Sequence, residues 1–382
     1  LFKAEVRSAG DGIGECRIFR NRRLLHTTTP RASRNGIAEI SATLPLREGD
    51  NALSAYCFSA SGLRSQEVEV RIFGADKLKT ERYAYLLVVG INKYSPKDTK
   101  LLYAVPDAKL AREKLESSLA ATGQYAAIRP AILLDGDATA ANILKGLRIL
   151  AGTEASVAQG PLAALKKSAP SDTVFVYFAG HGGGFAKDYR LIAADGTVGK
   201  EATQGTVSAT QIRDTLAPLQ ADRAVIIVDA CESGQALDQV DARAGPLAGR
   251  SLAQLAYDKV IFVISASQSR EAAIELQRLG HGVFSWVLFD RGFEAAADEN
   301  RDGFTTIREW LAFAQSETPK EVDKGLAELD KARQRPKTRR SAKARSTFAD
   351  EALNRAQTPR VFIPDPELAR EFVILRPEKK TP

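Results

Sequence analysis

The chain has 382 residues, 44% apolar and 26% charged, enough to bury one full core with room for a second. No apolar run approaches the roughly 20 residues that span a bilayer, and the opening LFKAEVRSAGDG lacks the regions of a signal peptide, so no membrane segment and a cytoplasmic location are expected. The formal charge of +7 is local: residues 331–345, KARQRPKTRRSAKAR, hold eight Lys or Arg and no acid, leaving the rest of the chain at −1.

The chain begins at Leu1 and contains no Met, as a fragment of a longer product would. Residues 1–75 read as short strands, KAEVRS, ECRIFR, GIAEISATLPL, NALSAYCFSASG and QEVEVRIF, with turns between them. In IAEISATL the apolar positions Ala38, Ile40, Ala42 and Leu44 alternate with small or polar ones. A small antiparallel β-sandwich of immunoglobulin type is expected, followed by a polar linker over 76–82. Three cysteines are too few for a disulfide scaffold. Cys16 and Cys57 are either ordinary core residues or a pair across the sandwich, and a cytosolic location favours the core.

From residue 83 continuous apolar runs alternate with helical segments. They are YAYLLVVGI, a helix opened by Pro106 and Asp107, AAIRPAILL, a helix from about 138, a further helix, then DTVFVYFAG, a helix near 208, RAVIIVDA and KVIFVISAS. Strands apolar on both faces belong to a mostly parallel sheet flanked by helices, an α/β domain over 83–316. Helices are expected over 281–296 and 305–315. Residues 317–356 read as a basic mobile insertion, and 357–382 as one or two strands returning to the domain.

Ligands of an open α/β sheet bind beyond the carboxyl ends of its strands. FVYFAGHGGG brings His181 to that edge, and VIIVDACESG brings Cys231. On neighbouring strands these would form a thiol nucleophile and its imidazole base. Gly180, Gly182, Gly183 and Gly184 would let the chain turn sharply. The amides of Gly182 and Cys231 would form an oxyanion hole. His181 precedes Cys231 by 50 residues, the caspase spacing.

YFAGHGGG and VDACESG resemble the His and Cys motifs of caspase-like cysteine peptidases, closest to the metacaspase and bacterial orthocaspase branch. VVGINKYSPKDTKLLYAVPDA and ISASQSREAAIEL with GHGVFSWVLFDRG extend the resemblance over roughly 83–315. The preceding sandwich is similar to paracaspase architecture, whereas DACESG departs from the caspase form QACRG. The resemblance implies cleavage after Arg or Lys, with a specificity pocket built from Asp107 and Asp229. The bland readings are that Asp107 serves a helix N-terminus and Asp229 caps a turn. An enzyme of this kind would also find a substrate in its own segment 331–345. A nucleic-acid role there is disfavoured, because no aromatic residue is interleaved.

The Cys-His chemistry needs no cofactor. Calcium is a separate expectation, because DENRDGFTTIRE places Asp298, Asn300, Asp302, Gly303 and Glu309 at positions 1, 3, 5, 6 and 12 of an EF-hand loop. The resemblance adds Asp238 and Asp195 as weaker calcium candidates. The competing readings are a silent scaffold that binds a protein partner through its sandwich, and a calcium-responsive signalling module.

Overall fold

Alternation of small apolar residues with polar ones gives strands such as Ile37–Ala42 one dry face, whereas Val68–Gly74 is exposed along most of its length. The computed structural model describes residues 1–8, 10–31, 36–94, 100–185, 188–197, 204–232, 250–266, 275–276, 278–334 and 357–376. The first strands are β1 (Phe2–Arg7), β2 (Ile13–Arg20), β3 (Arg23–Thr28), β4 (Ile37–Ala42), β5 (Gly49–Ser59) and β6 (Val68–Gly74). They form a β1-β4 pair and a four-stranded antiparallel sheet, β3-β2-β5-β6. Phe2, Ile18, Ile40, Leu53 and Ala55 fill the space between the two. Cys16 and Cys57 lie in this core and are joined as a disulfide. The bond links neighbouring strands of one sheet, where the two residues are register partners, and does not cross the sandwich. Burial and pairing, treated as alternatives from sequence, hold together.

The larger sheet is apolar on both faces because helices cover both. Its elements in chain order are β7 (Tyr83–Gly90), α1 (Ala104–Ala121), β8 (Ala127–Leu134), α2 (Ala140–Ala151), β9 (Thr173–Phe185), β10 (Asp188–Ile192), β11 (Thr206–Ser208), α3 (Ala209–Leu216), β12 (Arg223–Glu232), α4 (Arg250–Lys259) and β13 (Ile261–Ser265). Strands β8, β7, β9, β12 and β13 run parallel in that spatial order. The antiparallel β10 and β11 extend the sheet beside the far end of β9. Residues from α2, α3 and α4 pack on one face, and those from α1 pack on the other.

The expected helix between α2 and β9 is a run of turns. Gly152, at φ +78, ends α2 in the left-handed conformation, and Gly160, at φ +87, bends the chain again. The expected helix over 281–296 is also irregular. It consists of β14 (Glu275–Leu276) paired with β15 (His281–Gly282), a single turn α5 (Val283–Ser285), a π-helical turn at Trp286–Asp290 and two 3₁₀ turns. Trp310 sits against this segment and donates from Nε1 to the Leu288 carbonyl at 2.7 Å, which takes that carbonyl away from regular helix bonding.

After β16 (Thr305–Thr306), α6 (Ile307–Gln334) runs well past 316, so the first part of the segment read as an insertion is helical. Val322 is buried against Val283 and Val287, with Leu326 packed beside them, which gives the charged stretch an apolar stripe. Residues 335–356 lie outside the described residues. The chain returns through β17 (Arg360–Phe362) against β13, α7 (Pro366–Glu371), and β18 (Val373–Leu375) against β16. Among the described residues no helix is long and apolar enough to cross a membrane.

Candidate active site

Strand β9 reaches farther than β7, and that difference shapes the edge. The last residue of β7, Gly90, pairs with Ala179. Beyond it the His181 amide donates at 2.9 Å to the hydroxyl of Tyr94, which itself donates to the Ile192 carbonyl at 3.2 Å. The Tyr94 ring lies 4.6 Å from the imidazole, centre to centre. A buried side chain thus replaces the missing ladder bond and fixes the backbone of His181. Burial pushes the Tyr94 phenol well above its ordinary pKa, with the His181 amide acting in the opposite sense, so it stays a neutral hydroxyl.

On the other side β9 pairs with β12 in parallel register, and the partner of His181 is Cys231. Tyr177 and Ala179 of β9 and Ile227 of β12 lie on the α1 face, and alternation carries that side on to positions 181 and 229. The glycines after His181 do not make the expected sharp turn. They continue the strand through Phe185, where Gly182, Gly183 and Gly184 pair with β10. Their small size serves close packing: a Cβ at Gly180 would stand 2.3 Å from the Tyr94 hydroxyl, and one at Gly182 would stand 2.3 Å from that of Tyr189.

Asp107 reaches the same edge from α1. Gly90 permits this approach, since a Cβ there would lie 2.6 Å from the Ala104 carbonyl oxygen. Asn92 caps the helix by accepting the Val105 amide at 3.0 Å, so Asp107 is released from that task. Its carboxylate turns across to β15 instead. His281 Nδ1 donates to Oδ1 at 2.7 Å, and the Gly282 amide donates to Oδ2 at 3.1 Å. Asp229 accepts from Ser285 Oγ at 2.5 Å, and Tyr177 in turn donates to Ser285 at 2.7 Å.

The two acids are 3% and 7% exposed. Both carboxylates come within 4 Å of one point, the place where a Cβ of Gly282 would stand. Burial raises the Asp107 pKa, and the bonds from His281 and Gly282 pull it back. Tyr177 is pushed well above its ordinary value by burial and by the negative charge of Asp229 and Asp107. An enclosed pair of carboxylates has the chemistry to hold a cation and reject an anion.

Tyr94, Tyr177, His281 and Ser285 were not singled out from sequence. The chain has only three histidines, and one set between Gly280 and Gly282 was the available signal.

The calcium candidates lie elsewhere. Asp195 accepts the Ala140 amide at 2.8 Å and so caps α2. Asp238 lies outside the described residues. In the 298–309 loop, Asp298, Asn300 and Asp302 accept amides of the loop itself, from Gly303, Asp302 and Phe304 respectively. Glu309 is turned inward and accepts from the amide and hydroxyl of Thr306, a capping box that opens α6. No group of three His, Cys, Asp or Glu side chains comes together to hold a metal among the described residues. As placed, Glu309 is taken up by Thr306 and does not turn toward Asp298, Asn300 and Asp302.

The chain matches the family model described as Caspase domain over residues 84–347. Among curated proteins no relative matches. With a match across more than half of its length, over the sheet whose edge pairs His181 with Cys231, the chain belongs to the caspase domain family of cysteine peptidases.

Proposed function

We propose that this protein is a cysteine endopeptidase that cuts after Arg or Lys, in the manner of the metacaspase and orthocaspase branch. The observation that carries the reading is the convergence of the buried Asp107 and Asp229 carboxylates beside the paired positions of His181 and Cys231. Asp229 is two residues before the nucleophile on the same strand, so a basic side chain held there sets its carbonyl near Cys231.

In the proposed reaction the Cys231 thiol gives its proton to His181 and the sulfur attacks the scissile carbonyl carbon. The amides of Gly182 and Cys231 hold the oxyanion. The C–N bond breaks as His181 passes the proton to the leaving amine, giving an acyl-enzyme. Water then attacks the thioester, losing a proton to His181, and the acid product leaves as the thiol is restored. The same specificity makes residues 331–345 a self-processing segment, on the strength of their eight basic residues.

Fluorogenic peptides ending in Arg, Lys or Asp test this reading. Hydrolysis after Arg and Lys is expected, falling to background in Cys231→Ala, together with loss of any self-cleavage. Hydrolysis only after Asp would refute the pocket, and hydrolysis that survives Cys231→Ala would refute the nucleophile.

A further inference from the structure

The Asp107 carboxylate already has a basic partner. The imidazole of His281 sits 2.7 Å away, and among the described residues it is the only basic side chain paired with Asp107. The neighbouring Gly282 amide spans both oxygens, at 3.3 and 3.1 Å, so β15 clamps the carboxylate from one side. The clamp depends on a residue without a side chain, because a Cβ at Gly282 would stand 3.0 Å from Oδ2. The imidazole keeps 24% of its side-chain surface while Asp107 keeps 4%, so the ring is the part of the pair that reaches solvent.

We propose that His281 is a specificity-determining residue of this pocket, an internal cation that holds the carboxylate otherwise offered to the basic side chain of a substrate. The inference rests on the reading of Asp107 and Asp229 as the cation pocket. The groups facing the imidazole are Asp107 from α1 and, behind it, Asp229 from β12, with the hydroxyls of Ser285 from α5 and Tyr177 from β9 bonded to that second acid. With both carboxylates ionised, a protonated His281 leaves the cluster with one net negative charge, and a neutral His281 leaves two. A substrate cation therefore competes with the enzyme's own imidazole for the Asp107 carboxylate.

His281 acts through the pocket carboxylate proposed to hold the substrate's side chain, so the effect belongs to KM and not to kcat. The effect to be read is about tenfold in KM, which corresponds to about 1.4 kcal/mol.

The test measures kcat and KM separately for a peptide ending in Arg, from about pH 5 to about pH 8. Parent protein and His281→Gln are compared, since Gln keeps a donor for Asp107 without the charge. In the parent, KM is expected to fall about tenfold as pH rises, and in His281→Gln it is expected to be low and flat, with kcat profiles superimposable. A parent and variant that share one KM profile, or a variant altered only in kcat and thermal stability, would overturn the inference and make His281 a structural partner. If His281→Gln does not fold, Asp107→Asn gives the second measurement: KM rises and loses its pH slope if the inference holds, and keeps the slope if it does not. Cleavage after other residues but never after Arg or Lys would remove the pocket reading itself, a result distinct from either.

Discussion

Two clusters of buried charge lie in this molecule, and they are built to opposite ends. At the carboxyl edge of the large sheet, Asp107 and Asp229 bring two negative groups together beside the paired positions 181 and 231. At the seam between the sandwich and the sheet, Arg20, Arg23 and Lys259 bring three positive groups together, all 5% exposed or less. The seam spends its charges on fixed partners: Arg20 on Asp222 and the Pro45 carbonyl, Arg23 on the carbonyls of Lys259 and Leu219, and Lys259 on the Leu24 carbonyl. These bonds tie β2 and β3 to the sheet domain, and no substrate is needed to complete them. The acidic cluster is held by a histidine, an amide and two hydroxyls, groups that exchange partners more readily than a buried Arg-Asp pair. Buried charge by itself therefore does not mark a site. Its place at the strand ends and the kind of partner it keeps do.

The largest effect should separate the clusters outright. Asp229→Ala is expected to cost about 2–5 kcal/mol in kcat/KM for a peptide ending in Arg, the loss typical of one partner of a buried charge pair, with the fold retained. Arg20→Ala is expected to cost about 3–5 kcal/mol in folding stability, read by urea denaturation, while leaving KM unchanged in the folded fraction. Loss of KM in Arg20→Ala, or mere destabilisation in Asp229→Ala, would erase the distinction.

A smaller effect sharpens it. Burial, with added repulsion from Arg23 and Arg20, lowers the Lys259 pKa from 10.5 to about 7. Between those values the unfolded chain binds a proton at residue 259 that the folded chain does not, so stability rises with pH, by up to about 1.4 kcal/mol per unit. Lys259→Met removes that slope. Its stability relative to the parent should be greatest near pH 7 and shrink toward pH 10, and parallel curves for the two proteins would show that Lys259 keeps its ordinary pKa.

Much of this was legible in the sequence, for identifiable reasons. Strands such as Arg223–Glu232 are apolar on both faces, so their ends stand out where Asp229 and Cys231 interrupt the run. Asp107 stood out because Pro106 marks the start of a helix. His281 and Ser285 were missed because they arrive from a segment that reads as regular helix and is broken by the packing of Trp310, a residue more than 20 positions away. The role of Gly180 and Gly182, on either side of His181, was hidden for a similar reason: the crowding that requires them comes from Tyr94 and Tyr189, which no local pattern places there. The helical stretch beyond residue 316 was masked by its charge, much of it spent on pairs such as Lys320 with Glu317 and Lys324 with Glu321. The Cys16–Cys57 bond needed the register of β2 on β5, which spacing does not supply.

The disulfide also simplifies the decisive measurement, because it leaves Cys231 as the one remaining cysteine of the three. Intact-mass and peptide mapping after treatment with a peptidyl-arginine acyloxymethyl ketone, alongside the matching aspartate ketone, tests nucleophile and pocket together. The account predicts a single adduct on Cys231 from the arginine reagent, suppressed by excess Arg peptide, and none from the aspartate reagent. Equal labelling by both reagents, or no labelling of a Cys231 that still reacts with iodoacetamide, would contradict it.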